Sequence, residues 1–232
     1  MLLLGEEKLS KLESCHVVVA GLGGVGGFAA EMLVRSGIGK LTIIDADKYQ
    51  SSNINRQIGA LNSTVGKEKT LVTSDRLLDI NPELKLEIIT EYLEKSRIER
   101  IFVSGIFDYV VDAIDTLLPK FTLICHCLKN NIKIVSSMGA GAKLDVSQVK
   151  ITDISNSYSC RLAYNIRKKL HREGIFSGYN VVFSPEPVYN NSVVHADNEP
   201  NKRSVAGTIS YMPATFGIYC AAEVIRNLIS EE

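Results

Sequence analysis

Val17-Val18-Val19-Ala20-Gly21-Leu22-Gly23-Gly24-Val25-Gly26-Gly27 carries the strongest fold signal in the chain. An apolar, β-branched run of strand character meets a cluster of glycines, and a stretch of helical spacing follows. Gly21, Gly23 and Gly26 fit the pattern G-x-G-x-x-G, whose glycines permit a tight turn and a close approach of backbone to phosphate. A helix that starts there directs its unpaired N–H groups and the positive end of its dipole at that phosphate. A second apolar run, Leu41-Thr42-Ile43-Ile44, ends in Asp45, nineteen residues beyond Gly26, where a ribose-binding carboxylate belongs. The glycine pattern alone is weak, because a glycine-rich turn also serves simply to let a helix pack closely on a sheet. Strand, glycines, helix and strand-end acid together predict a nucleotide site.

Working outward, the chain alternates helix and strand signals. Residues 2–12 read as a short leading helix. Residues 28–36 place Phe28, Ala29, Met32 and Leu33 at helical spacing, with Gly37 and Gly39 ending the helix. Residues 67–80 are helical, with Leu71, Leu77, Leu78 and Ile80 expected toward a core, and Asn81-Pro82 stops them. Residues 84–89 alternate like an edge strand, 94–103 read as a helix, and 109–114 as a buried strand leading into Asp115. A helix over 121–130 and a strand over 132–136 follow, closing in Met138-Gly139-Ala140-Gly141. Repeated strand–helix–strand units predict an α/β, Rossmann-like, mainly parallel sheet with helices on both faces. Ligands of such sheets bind outside the carboxyl ends of the strands, where Gly21, Asp45, Asp115 and Gly139 all fall. Beyond Gly141 the pattern loosens. Strands are expected at 149–154 and 181–183, a basic helix at 161–172, a long loop at 184–202 and a C-terminal helix at 213–229. We expect a single domain, with 1–141 as nucleotide-binding core and 142–232 as a mixed α/β extension of it.

The 232 residues suffice for one large domain. Lys plus Arg and Asp plus Glu number 26 each, so no global charge marks nucleic acid or membrane as a partner. A local basic stripe can still bind RNA. Five cysteines, an odd number without a scaffold pattern, point to a reducing compartment. The apolar stretch 216–229 is short and interrupted by Glu223 and Arg226, and residues 1–4 are too few for a signal peptide. The expectation is a cytoplasmic protein with no membrane partner. Cys125-His126-Cys127 would point its thiols to different faces of a helix, so these read as core cysteines without a metal. Cys160 follows Tyr158-Ser159 with no evident activating base and reads as a spare thiol.

Between the second strand and the next helix lie Ser51-Ser52-Asn53-Ile54-Asn55-Arg56-Gln57 and then Lys67-Glu68-Lys69. Cleaving ATP requires holding a leaving pyrophosphate, a task for Arg and Lys side chains, and Arg56 and Lys69 can supply them. Asp115 at a strand end suits Mg2+, which uses one or two carboxylates beside phosphate oxygens and water. Taken singly, Arg56 reads as a loop ion pair and Lys69 as part of a solvated helix face. Together with the glycine loop and two strand-end aspartates they read as an ATP-cleaving site.

Gly21-Leu22-Gly23-Gly24-Val25-Gly26, Asp45-Ala46-Asp47, Ser52-Asn53-Ile54-Asn55-Arg56-Gln57, Lys69 and Val111-Asp112-Ala113-Ile114-Asp115 resemble the ThiF/MoeB-like superfamily. That superfamily includes the enzymes that adenylate ubiquitin-like and sulfur-carrier proteins. Ser136-Ser137-Met138-Gly139-Ala140-Gly141-Ala142-Lys143, Thr152-Asp153-Ile154-Ser155, Val182-Phe183-Ser184, Asn201-Lys202-Arg203 and Gly207-Thr208-Ile209-Ser210-Tyr211-Met212-Pro213 are similar to its tRNA threonylcarbamoyladenosine dehydratase branch. The resemblance covers essentially the whole chain. It implies an ATP-dependent enzyme that adenylates the threonyl carboxylate of threonylcarbamoyladenosine beside the anticodon and closes the ring, releasing pyrophosphate and AMP.

By position, the resemblance implies that Gly21, Gly23, Gly24 and Gly26 line the ATP phosphates and that Asp45 binds the ribose. Asn53, Arg56, Gln57 and Lys69 would complete the nucleotide site, with Arg56, Lys69 and Asp115 catalytic and Asp115 serving Mg2+. The implied partners are tRNA carrying threonylcarbamoyladenosine and a second copy in a homodimer, for which Gly37, Gly39 and residues 216–229 would leave apolar surface. A monovalent cation and a sulfur-transfer protein partner stay open. Relatives carry an upstream arm with an arginine that reaches an ATP site, in many cases a dimer partner's, and the expectation here is a shortened start. The basic segment with Arg161, Arg167, Lys168, Lys169, His171 and Arg172, joined by Lys202 and Arg203, is either a solvated face or a stripe contacting tRNA phosphates. Adenylation of a carrier protein, a nicotinamide-dependent oxidoreductase and a non-catalytic partner subunit stay open as alternatives. The absence of paired C-x-x-C motifs favours RNA over a carrier's tail.

Overall fold

The valine run occupies the middle of a seven-stranded sheet in the computed structural model, which describes residues 2–188, 193–195 and 204–230. The strands are β1 (His16–Ala20), β2 (Lys40–Ile44), β3 (Lys85–Ile89), β4 (Tyr109–Asp112), β5 (Ile134–Ser137), β6 (Lys150–Asp153) and β7 (Asn180–Phe183). Their order is β3-β2-β1-β4-β5-β7-β6, parallel throughout except that β6 runs antiparallel to β7. Strand β3 is the half-exposed edge that its alternating sequence predicts. Two short strands, β8 (Val193–His195) and β9 (Ser204–Ala206), pair as a separate antiparallel ribbon. The expected loop at 184–202 thus contains a strand, while Asn201, Lys202 and Arg203 lie outside the described residues.

Seven α-helices are described: α1 (Gly5–Ser14), α2 (Gly26–Arg35), α3 (Lys69–Ile80), α4 (Lys95–Ser104), α5 (Leu117–Lys129), α6 (Arg161–Arg172) and α7 (Tyr211–Ile229). Successive residues of a strand face opposite sides. Val17 and Val19 therefore join one core with residues of α1, α2, α3 and α7, and Val18 and Ala20 join a second with residues of α4, α5 and α6. A strand covered on both faces needs an unbroken apolar run, and β1 has one. Cys125 and Cys127 are both buried on α5.

Several boundaries differ from the sequence-based expectation for identifiable reasons. Helix α5 starts at Leu117 because Pro119 falls in the first turn, where a helical N–H has no intrahelical partner; Pro213 sits likewise in the first turn of α7. Strand β4 stops at Asp112, whose carboxylate accepts the Ile114 N–H at 3.1 Å and turns the chain. On α3, Leu71 and Leu78 are exposed, and the inward face is Thr70, Thr73, Ser74 and Leu77. That face meets hydroxyls: Thr70 and Thr90 share a 2.7 Å hydrogen bond, and Tyr49 approaches Thr73. Helix α7, expected to offer apolar surface to a partner, buries Met212, Phe216, Cys220, Ala221, Val224 and Leu228. Its Gly217 lets the backbone of α2 approach, since a Cβ there would meet the Val25 carbonyl and Phe28.

Among the described residues no helix is long and apolar enough to cross a membrane. Gly39 links α2 to β2 against the end of α1, donating to the Leu12 carbonyl at 3.3 Å. A Cβ at that position would run into the Glu13 carbonyl. Gly39→Ala should therefore lower unfolding stability by about 2 kcal/mol or more, the scale of overpacking against a rigid backbone. Urea denaturation with an unchanged midpoint would contradict this packing.

Candidate active site

The glycine loop is shaped by three close backbone approaches at the carboxyl edge of the sheet. Gly21 adopts φ +89°, in the left-handed region, and donates its N–H to the Ile44 carbonyl at 2.8 Å. A Cβ on Gly21 would lie 2.8 Å from the Ala113 carbonyl oxygen, in the turn that leaves β4. A Cβ on Gly26 would run into the Gly21 carbonyl, and one on Gly24 would lie 2.9 Å from the Pro213 side chain and 3.1 Å from the Arg56 carbonyl. Gly23 has more room; a Cβ there would lie 3.7 Å from the Gln57 side-chain nitrogen. Helix α2 begins at Gly26, so its unpaired N–H groups and positive dipole end lie at this loop.

The carboxylate predicted at the end of β2 is in place. Asp45 is largely buried, with Oδ2 accepting the Leu22 N–H at 2.6 Å and Oδ1 the Asp47 N–H at 2.8 Å. Burial pushes its pKa up, against the Lys69 ammonium and the two N–H donors that pull it down. Lys69, the first residue of α3, holds its Nζ 3.8 Å from Asp45 Oδ2 and 2.9 Å from Asp47 Oδ2. The backbone supports this arrangement, because the Lys69 N–H donates to the Asp47 carbonyl at 3.0 Å. Asp47, the partner of Lys69, has no role in the sequence-based expectation; the signal was the Asp45-Ala46-Asp47 pair itself.

Asn53 is buried and anchors the next segment. Its Oδ1 accepts the Gln50 N–H at 3.0 Å, and its carbonyl accepts the N–H groups of Arg56 and Gln57 at 3.1 and 2.9 Å. Arg56 Nη1 donates to the Ser52 carbonyl and to Asn55 Oδ1, each at 2.8 Å. Gln57 is buried beside Gly23, and its Oε1 has no hydrogen-bond partner among the described residues. Asn55 Nδ2 donates to the Thr208 carbonyl at 2.8 Å, and the Ala142 N–H donates to the Gly207 carbonyl at 2.7 Å. Residues 207–208 thereby link the segment that carries Arg56 to the one that carries Ala142. Asp115 is exposed on the adjoining β4–α5 turn, next to Thr116 at the start of α5. Cys160 is buried at the start of α6.

Three further residues beneath that turn went unassigned in the sequence reading. Asp112 and Lys120 are completely buried and form an ion pair at 2.8 Å. Ser136 on β5 donates to Asp112 Oδ2 at 2.5 Å, and Lys120 Nζ donates to the Ile114 carbonyl at 2.9 Å. Burial raises the Asp112 pKa, opposed by Lys120, Ser136 and the Ile114 N–H. Both backbone groups of Ile114 are thus tied down, one to each member of the pair, directly before Asp115. A signal was available: Lys120 occupies the helical stripe that continues through Leu123, Ile124 and Cys127, a charge where a core residue belongs. Removing one partner from a buried pair strands the other charge. Lys120→Met should cost about 3–5 kcal/mol of stability, and adding Asp112→Asn should recover part of it. A single variant as resistant to urea as the parent chain would contradict the pair's role.

The comparisons with known proteins agree with this fold. Residues 1–232 match the ThiF family. A tRNA threonylcarbamoyladenosine dehydratase of Bacillus subtilis is 37% identical over 237 residues, which cover 99% of this chain and 93% of the relative. The crystal structure of the Escherichia coli tRNA N6-threonylcarbamoyladenosine dehydratase TcdA with ATP superposes with a TM-score of 0.87 at 32% identity, covering 98% of this chain and 91% of that one. The same enzyme with AMP gives a TM-score of 0.86 at 33% identity, with the same coverage. The chain belongs to the ThiF family, among the tRNA threonylcarbamoyladenosine dehydratases.

Proposed function

We propose that this chain uses ATP to adenylate the threonyl carboxylate of threonylcarbamoyladenosine in tRNA and promotes its cyclisation. The observation that carries the reading is the placement of Lys69: a buried ammonium beside the glycine loop, paired chiefly with the exposed Asp47. Neighbouring Arg56 and Gln57 and the helix start at Gly26 complete an anion-binding crevice. The E. coli relative's crystal structures with ATP and with AMP fit a reaction that consumes one and releases the other. Asp45 is the ribose-binding carboxylate, and Gly21, Gly23, Gly24, Gly26, Asn53, Arg56, Gln57 and Lys69 hold the phosphates.

A threonyl carboxylate oxygen attacks the α-phosphorus, and the bond to the β-phosphate breaks with its electrons on pyrophosphate. Arg56 and Lys69 neutralise that leaving charge, which lowers the barrier when the donors are already in position. The carboxyl carbon of the acyl-adenylate is electrophilic, and the modification's own ureido group closes on it. AMP departs with one carboxylate oxygen, so the nucleoside loses the elements of water overall. The chain's part is positioning and electrostatics, and no covalent enzyme intermediate is needed. Asp115 is exposed on the turn three residues beyond β4 and fits a single-carboxylate Mg2+ site; when bound, Mg2+ neutralises phosphate charge.

Residues 1–141 and 142–232 act as one adenylation domain in a cytoplasmic enzyme, with residues 206–213 walling the nucleotide crevice. The exposed cations of α6 contact tRNA phosphates. We also infer a symmetric dimer, the commonest closed assembly, because Ile54, Leu61, Val65, Leu71 and Leu78 leave apolar surface on α3 and the loop before it. Light scattering at micromolar concentration should give twice the chain mass, and a monomer would contradict the dimer. Lys69→Ala should slow pyrophosphate release on modified tRNA roughly a hundredfold or more. Asp115→Asn should raise the Mg2+ concentration needed for half-maximal rate. Unchanged kinetics in both variants would remove these assignments.

A further inference from the structure

Between residues 161 and 172 the chain carries Arg161, Arg167, Lys168, Lys169, His171 and Arg172 and no carboxylate, although its charges balance overall. The structure divides these cations into two sets. Arg167 turns inward, its Nη1 donating to the Ser157 carbonyl at 2.6 Å and to Ser157 Oγ. Lys169 is half-buried, with Nζ 5.3 Å from the centre of the Phe121 ring. Arg161, Lys168, His171 and Arg172 remain exposed. They share one face with Tyr164, because positions 161, 164, 168 and 171–172 recur at three- and four-residue steps.

The aromatic residues on this face are more exposed than packing requires. Tyr164 is 56% exposed and Phe176, just past the helix, is 62% exposed. The Phe176 ring lies 5.0 Å from that of His171. Tyr164 and His171 are seven residues apart, so the two aromatic positions stand about 10 Å apart along the helix. The stripe also starts at the right edge of the sheet. Tyr158, just before α6, packs its ring 5.6 Å from Phe183, the last residue of β7, at the carboxyl edge that holds the crevice. The far end of α6 is tied to the end of α5 by the 2.9 Å pair of Lys129 with Glu173.

Cations alone would suit any phosphate backbone. Cations alternating with open aromatic faces suit a single strand, whose phosphates pair with the charges while its unstacked bases lie on the rings. A-form duplex keeps its bases stacked inside and offers the rings nothing. We propose that the outward face of α6, with Tyr164 and Phe176 as stacking platforms, holds unpaired loop nucleotides flanking the base that enters the crevice. This rests on the RNA-modifying reading above and specifies which RNA structure is held and by which side chains.

The test measures binding of the full chain to an anticodon stem-loop RNA and to a fully paired RNA duplex with the same number of nucleotides. Tyr164→Ala with Phe176→Ala should weaken stem-loop binding about tenfold or more and leave duplex binding unchanged. Lys168→Glu with Arg172→Glu should weaken both RNAs and flatten the salt dependence of binding. ATP affinity and thermal stability should stay at the parent values in every variant, because these side chains are exposed. Parent-like stem-loop binding by the aromatic variant, or equal loss on both RNAs, would overturn the proposal. Failure of the parent chain to release pyrophosphate on modified tRNA would instead overturn the underlying reading. Turnover by the parent with unaltered binding by the aromatic variant would overturn this inference alone.

Discussion

Backbone passes backbone at Gly21, Gly24 and Gly26, and the rest of the site depends on those contacts. Gly21 meets the turn after β4, Gly26 meets Gly21 itself, and Gly24 meets the first turn of α7 and the carbonyl of Arg56. Each contact lacks space for a side chain. The first strand, the turn after the fourth strand, helix α2 and the C-terminal helix can therefore converge within one loop's width. Asp45 adds an electrostatic clamp by taking the Leu22 N–H into a buried carboxylate. The assigned side chains border this convergence: Gly24 meets the Arg56 carbonyl, and Asp45 links the Leu22 N–H to the Lys69 ammonium.

Two buried lysines illustrate how the same charge serves different ends. Lys120 is completely enclosed, and its ammonium is divided between Asp112 and the Ile114 carbonyl. A pair of this kind contributes little net stability relative to an apolar replacement, so its value lies in the geometry that it enforces. Here it fixes the turn that presents Asp115. Lys69 is buried too, yet its nearest partner, Asp47, is 72% exposed. An exposed counter-ion is well solvated when released, so Lys69 can transfer its charge to a phosphate at small cost.

Much of this was legible in the sequence because period and punctuation agree. The valine run, the glycines and the acid at the end of the second strand each predict the element found, and β3 reads as the edge strand that it is. Legibility failed where side chains override local pattern. The helices expected at 121–130 and 213–229 start earlier, at Leu117 and Tyr211, because Pro119 and Pro213 occupy first turns, where a proline breaks no intrahelical bond. Leu71 and Leu78 promised a core face on α3, which instead turns hydroxyls toward Thr90 and Tyr49. Periodicity cannot reveal that a neighbouring surface is polar. The Asp112–Lys120 pair was visible as a lysine in an apolar stripe, but its partner lies eight residues away across a turn, a distance that no helical or strand repeat connects. The basic segment was readable as charge, while the inward turn of Arg167 and the packing of Lys169 on Phe121 depend on tertiary contacts.

The chemistry proposed for this crevice is the expenditure of ATP on a carboxylate carried by tRNA. Nucleoside mass spectrometry of threonylcarbamoyladenosine-containing tRNA, incubated with the chain, ATP and Mg2+, tests it most directly. The modified adenosine should become lighter by one water, with AMP and pyrophosphate formed in step with it. An unchanged nucleoside, with ATP consumed only when a carrier protein ending in Gly-Gly is supplied, would contradict it.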